Sequence, residues 1–369
     1  MHDPRVDKLA ELLVNYSLEI QPGQTVMIQG EFGAEPLQSA IFAQCLQAGA
    51  YPFYTPYGPN RFEHIFRYAK PDMFPHLLKP YREIVKKVDA RLYIYGELNT
   101  RSASEFDPEI VSKYYAEAGK VSGIMLERET KGEMKWVVSL FPTNAYAQEA
   151  GMSLTDYEDF VYRACMPDMD DPVGYWKSVE ARQQKAVDWL KGKKEVHVTA
   201  PGTDLTLSID GRPFINCACQ NNVPDGEIFT SPIENSANGH VHFTYPTLYQ
   251  GFEVDDVRIE FKDGKAVKAT AGKNEAFLQK KLDTDAGARY LGEFAIGTNE
   301  GIDRFTGKIL FDEKIGGSFH MALGRSYEES KGVNKSDIHW DMICDLRDGG
   351  QITVDGELFY KNGKFVIDF

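Results

Sequence analysis

Two domains of different character are what the sequence predicts: an N-terminal α/β domain with a mostly parallel sheet and crossover helices, then a C-terminal β-rich α+β domain. Three observations predict this. Helix-period and strand-like apolar patterns alternate through the first half, and alternating strand patterns dominate the second. The 369 residues also exceed one ordinary domain of about 150. The composition changes after Lys191-Gly192-Lys193-Lys194, which sets the expected domains at 1–192 and 193–369.

Residues 5–16 carry Val6, Leu9, Leu12, Leu13 and Tyr16 at helical spacing. Pro22-Gly23 turns the chain, and Thr25-Val26-Met27-Ile28 reads as a buried strand. A helix over 36–48 ends near Gly49, and Tyr51 to Tyr54 forms the next strand. A long helix at roughly 61–87 leads to a strand at 90–95, and a helix near 108–119 leads to a strand at 136–140. This rhythm calls for parallel strands joined by crossover helices. Gln29-Gly30-Glu31-Phe32-Gly33 follows a strand but lacks the full G-x-G-x-x-G, and Glu31 would repel a phosphate, so dinucleotide binding is not expected. Residues 154–192 read as helical throughout. Strand patterns then recur at 195–199, 205–209, 240–245, 254–261, 266–270 and 353–368, interrupted by one helix at about 274–292.

A formal net charge of −14 argues against nucleic acid and anionic membrane as partners, since both repel such a surface. No run of 18 apolar residues predicts a membrane span, and the first residues lack the basic and apolar regions of a secretory signal. The five cysteines have no framework spacing, which suits a reducing compartment, so a cytoplasmic protein is expected. Cys217 and Cys219 read as core thiols on one face of a strand.

The chemistry concentrates in the second half. In Ile338-His339-Trp340-Asp341, residues two apart share a face of an extended segment, so His339 and Asp341 present an imidazole and a carboxylate to one point. Such a pair in isolation is more often structural. Here a second histidine, His320, closes the segment 311–320, whose Gly316-Gly317 permits a sharp turn or close packing. Glu293 falls near the end of the 274–292 helix pattern, and Glu227 in a loop rich in turn residues. Mixed histidine and carboxylate ligands suit zinc, cobalt or manganese. Three or four such ligands make one site, whereas five or six imply two metals ~3.5–4 Å apart sharing a bridging carboxylate. His240-x-His242 has the same spacing as His339-x-Asp341, but no accompanying motif supports it. It stays outside the site with His64, His76 and His197.

Five segments, in order, carry a resemblance: 222–232 around Glu227, 282–293 ending in Glu293, 311–320 ending in His320, Ala322-Leu-Gly-Arg-Ser-Tyr327, and 334–342 around His339 and Asp341. With these the chain resembles the aminopeptidase T / AmpS / PepS family of metallopeptidases (family twenty-nine), densely over about 220–345 and more weakly through the N-terminal half. The resemblance places Glu227, Glu293, His320, His339 and Asp341 on metal-ligand positions, Glu313 on a sixth, and Tyr327 on the family's catalytic tyrosine. Lys314 stands where many members have Asn. The resemblance also implies two divalent metal ions, peptide substrates with a free N-terminus, and a homodimer whose subunits together wall off the active site.

Peptide hydrolysis needs an activated water, which two cations supply near neutral pH, and a stabilised oxyanion. A phenol at Tyr327 would donate to that oxyanion, a contact worth ~3–4 kcal/mol when such a donor is lost. Glu293 and Glu313 both remain open as the group relaying a proton to the leaving amine. Two other functions compete. An iron ring-cleaving dioxygenase of the 2,5-dihydroxypyridine type would need only His320, His339 and Asp341, and leaves Glu227, Glu293 and Glu313 unexplained. A non-catalytic binding protein on the same fold predicts a lost ligand, and none is lost.

Overall fold

A computed structural model describes residues 3–58, 60–102 and 106–367. It has the α/β character expected. The chain forms two compact units, Met1–Val173 with Cys219–Val223, and Gly174–Ala218 with Pro224–Phe369.

The first unit is built on five parallel strands in the order Tyr51–Tyr57, Thr25–Glu31, Ala90–Tyr95, Lys135–Leu140 and Asn222–Val223. Helices Glu35–Gln47, Phe74–Val85 and Pro108–Thr130 lie on the connections between successive strands. Val26, Met27 and Ile28 are fully buried, as a central parallel strand requires.

Several helices differ from the periodicity. The stretch 61–87 breaks after Tyr68, because Lys70, which precedes Pro71, is extended (ψ 154°) and cannot continue the helix. The helix from Pro108 runs on to Thr130 through Gly119 and Gly123, since Val121, Ile124 and Met125 keep packing against the core that holds Tyr114. The 154–192 pattern divides into Leu154–Cys165 and Pro172–Leu190, with Pro167 and Pro172 bounding the break.

The second unit stacks two antiparallel sheets on one core. One has eight strands in the order Lys265–Thr270, Arg258–Lys262, Asn238–His242, Thr203–Ser208, Glu195–Ala200, Gln351–Val354, Glu357–Lys361 and Lys364–Phe365. The stretch read as a strand at 353–368 is thus a hairpin meander, turning at Asp355-Gly356 and Asn362-Gly363, all four at positive φ; residue 368 lies outside the described residues. The other sheet runs His339–Asp345, Ser318–Gly324, Leu291–Gly297, Glu227–Thr230 and Ile215–Cys217. Val198, Leu205, Val241 and Ile259 from the first sheet share a core with Ile296, Phe319, Met321 and Met342 from the second.

One helix boundary matters for the site. The helix expected over 274–292 stops at Leu282. Gly287 then packs so closely that a Cβ there would lie 2.1 Å from the Lys335 carbonyl, and residues from Leu291 onward form a strand. Cys217 ends its strand and Cys219 takes φ 70°, so the two thiols do not share a strand face. Among the described residues no cysteine is in a disulfide, and no helix is long and apolar enough to cross a membrane.

Candidate metal centre

The five-stranded sheet sorts its side chains by period two. One face is large and apolar: Ile228, Phe294, Ile296, Phe319, Met321, Trp340 and Met342 all lie in the core. The opposite face carries the acids and imidazoles, separated by small residues. Ala322 lies directly between Glu293 and Asp341 on the flanking strands, Ala295 pairs with His320, Gly297 with Glu227, and Gly324 with His339. Small residues in these rows leave room for long polar side chains to converge.

Glu293 reaches this face through a bulge. Leu291 pairs with Leu323 on the core face, and regular alternation would send Glu293 the same way. The register shifts between Leu291 and Glu293 and re-aims the carboxylate. The strand, not the end of a helix, therefore presents it.

Two clusters share Glu293. His320 Nε2 stands 3.4 Å from Glu293 Oε1 and 3.3 Å from Glu227 Oε2. His339 Nε2 stands 3.3 Å from Glu293 Oε2 and 3.6 Å from Asp341 Oδ1. Glu313, in the turn after the short helix Ile309–Asp312, joins His320 and Asp341 in a third grouping. All six residues proposed from the sequence as ligands are thus brought together. Tyr327 lies in the loop before His339, its hydroxyl 3.4 Å from His339 Nε2 and its ring edge-on to Phe229. That loop is tied down by Asn334, whose side-chain amide donates to the carbonyls of Gly287 and Gly324, and by the Ser231–Ser330 hydroxyl contact.

The residues fit divalent cations on three grounds. Two atoms ~2.0–2.1 Å from one tetrahedral ion lie about 3.4 Å apart, close to the spacings above. Glu227 Oε2 and Asp341 Oδ1 are buried acceptors with no hydrogen bond among the described residues, a cost of ~1–3 kcal/mol each unless a cation meets them. The converging donors are imidazole nitrogen and carboxylate oxygen, which suit zinc, cobalt or manganese.

Electrostatics point the same way. Burial would push Glu293 up, but the flanking imidazoles of His320 and His339 hold it well below the usual carboxylate range. Burial would lower both histidines, yet the carboxylates raise His320 to about 9 and His339 to about 10. Burial raises Asp341 to about 6 and also raises Glu227 and Glu313. Burial, with Glu293 and Asp341 close by, pushes the Tyr327 phenol well above its ordinary value.

Sequence reasoning gives no role to three participants. Lys314 is 1% exposed, with its ammonium on Glu227 and Glu313. Asp225, two residues before Glu227, faces the same ammonium at 3.9 Å. The Arg325 carbonyl accepts from His339 Nδ1 at 2.7 Å. The spacing Asp225-x-Glu227 was the available signal, hidden by its turn-like Pro-Asp-Gly setting. His242 lies on the other sheet, paired with Asp256, and His197 there pairs with Asp204.

Comparison with known proteins is consistent with this geometry. The family model described as "Thermophilic metalloprotease (M29)" matches residues 2–365. Aminopeptidase 2 of Geobacillus stearothermophilus is 29% identical, covering 99% of this chain and 98% of that protein. The solved structure of wild-type AmpT from Thermus thermophilus superposes with a TM-score of 0.87 at 22% identity, covering 99% of both chains. That of 2,5-dihydroxypyridine dioxygenase from Pseudomonas putida KT2440 gives 0.62 at 14% identity, over 98% of this chain and 97% of that one, a likeness of fold.

Proposed function

The chain belongs to the thermophilic metalloprotease family M29 and is a metallo-aminopeptidase, and from that premise we propose that it removes residues from the free N-terminus of peptides at a centre of two divalent cations. One observation carries the number two: the oxygens of Glu293 face different histidines, so one carboxylate bridges two positions. Glu227, Glu293 and His320 would hold one ion, and Glu293, His339 and Asp341 the other. Charge agrees. The carboxylates of Asp225, Glu227, Glu293, Glu313 and Asp341, set against the Lys314 ammonium, leave four negative charges, which two divalent cations cancel.

Such ions, when bound, supply Lewis acidity and a strong oxygen nucleophile near neutral pH. The chain's own groups do the rest. With the two oxygens of Glu293 turned to the two positions, Glu313 is the better placed carboxyl to carry a proton from water to the leaving amine nitrogen. Tyr327 stays protonated and donates to the oxyanion developing on the scissile carbonyl. The Arg325 carbonyl orients the His339 ring.

The residues assigned to the chemistry all fall within 193–369, which we read as the catalytic domain, with 1–192 as the N-terminal domain. The same reading makes the protein a cytoplasmic homodimer, testable by light scattering. A single-iron dioxygenase centre is disfavoured because it gives no role to Glu227 or to a glutamate lying between both histidines. The deciding experiment is hydrolysis of aminoacyl-p-nitroanilides by metal-stripped protein, with and without cobalt, zinc or manganese. Metal-restored release from free-amine substrates, absent with N-acetylated ones, is expected; no release with any metal overturns the reading.

A further inference from the structure

Lys314 has no part in the mechanism above, yet it is a costly group to bury. An ammonium taken out of water persists only when well paired. Its Nζ lies 2.5 Å from Glu227 Oε1, 2.7 Å from Glu313 Oε1 and 3.9 Å from Asp225 Oδ1, and the side chain is 1% exposed.

The ammonium is placed asymmetrically. Glu313 groups with both His320 and Asp341; leaving it aside, the two positions around Glu293 have the same donor chemistry, one imidazole and two carboxylates each, so these ligands alone do not rank them. Lys314 does. It takes Glu227 Oε1, which leaves that carboxylate only Oε2 to offer beside His320. Asp225 and Glu313 share this ammonium, so its bias on the Glu227–Glu293–His320 position acts through its direct contact with Glu227. At the other position neither Glu293 nor Asp341 pairs with a lysine or arginine among the described residues. Like charges repel strongly where the effective dielectric is low, and a carboxylate shared with an ammonium attracts a second cation less.

We propose that Lys314 is a built-in cation that makes the two metal positions unequal: the Glu293–His339–Asp341 position fills first and tightly, and the Glu227–Glu293–His320 position fills second and loosely. Lys314 is accordingly a positioning residue, acting through Glu227. The inference rests on the two-metal reading, and its test separates the two.

The test is calorimetric titration of the metal-stripped full chain with cobalt or zinc, with bound metal counted by atomic emission. Two steps are expected, the second at least about tenfold weaker. Glu227→Gln should lose the weak step and keep the strong one, whereas Asp341→Asn should lose the strong one. Lys314→Met, of similar length without charge, should bring the two affinities to within about threefold of each other, with its fold checked by circular dichroism. If Lys314→Met does not fold, Lys314→Gln takes its place, and a gap between the two steps as wide as in the unaltered protein overturns the role of Lys314. Two equal sites in the unaltered protein, or loss of the strong step in Glu227→Gln, overturn the inference and leave the two-metal reading standing. One bound metal in both the unaltered protein and Lys314→Met removes both.

Discussion

His339 donates its Nδ1 hydrogen to the backbone carbonyl of Arg325 over 2.7 Å, which turns Nε2 toward Glu293 and Asp341. An imidazole held this way has its tautomer and ring plane fixed by the chain before any ion arrives. His320 differs, since its Nδ1 is buried with no hydrogen-bond partner among the described residues.

The Arg325 carbonyl depends on the residue before it. Gly324 pairs with His339 and holds φ +99°, and a Cβ there would lie 2.2 Å from the Ile338 carbonyl. Gly324→Ala therefore imposes both backbone strain and a backbone clash, and about 1–3 kcal/mol of stability should be lost. Urea unfolding measures this, and metal content should fall with it because the His339 carbonyl contact moves. Unchanged stability and metal content would show that the turn is not under this constraint.

Tyr327→Phe removes a hydroxyl 3.4 Å from His339 Nε2 and leaves every proposed ligand in place. Bound metal should be unchanged, and kcat should fall about 10²–10³-fold with KM nearly constant, as when one oxyanion donor is lost. Full kcat in this variant removes the phenol from the mechanism.

Much of this was legible in the sequence because its physics is local. The parallel strands at 25–31, 51–57, 90–95 and 135–140 follow from apolar runs between helical patterns. His339 and Asp341 share a face because they lie two apart on a strand. Periodicity puts Glu293 near the end of a helix because a bulge and the packing of Gly287 against Lys335 are tertiary facts, which hydrophobic periodicity does not record. Lys314 was noticed only as an unusual neighbour of Glu313, since its partner Glu227 is 87 residues away in sequence.

The thiols give a pH-dependent prediction. Burial pushes Cys45 and Cys344 up to about 12 and also raises Cys165 and Cys217. At pH 8 these four thiols thus present almost no thiolate, and Cys219 is fully buried, so fewer than about one of the five cysteines should react with an aromatic disulfide reagent; all five should react in guanidinium. The sign for stability follows. The native state keeps protons that the unfolded chain releases near ~8.5, so these thiols cost stability as pH rises above that value and nothing below it. Rapid labelling of the native protein would contradict the burial.

Ala322 tests whether the small residues of the polar face are what make room for the centre. It is fully buried and lies directly opposite both Glu293 and Asp341. Its neighbours along the strand, Met321 and Leu323, point into the core, so a larger side chain at 322 enlarges the polar face without touching that packing. Leucine adds three carbons between two carboxylates that both flank the metal positions. Overpacking of this kind costs ~1–3 kcal/mol, which a two-sheet core of this size should survive. Ala322→Leu should therefore fold, by circular dichroism and a cooperative melt, while binding at least about tenfold less metal. Ala322→Ser, nearly the same size, should keep both fold and metal. Full metal in Ala322→Leu would mean that the carboxylates converge independently of the space this row provides.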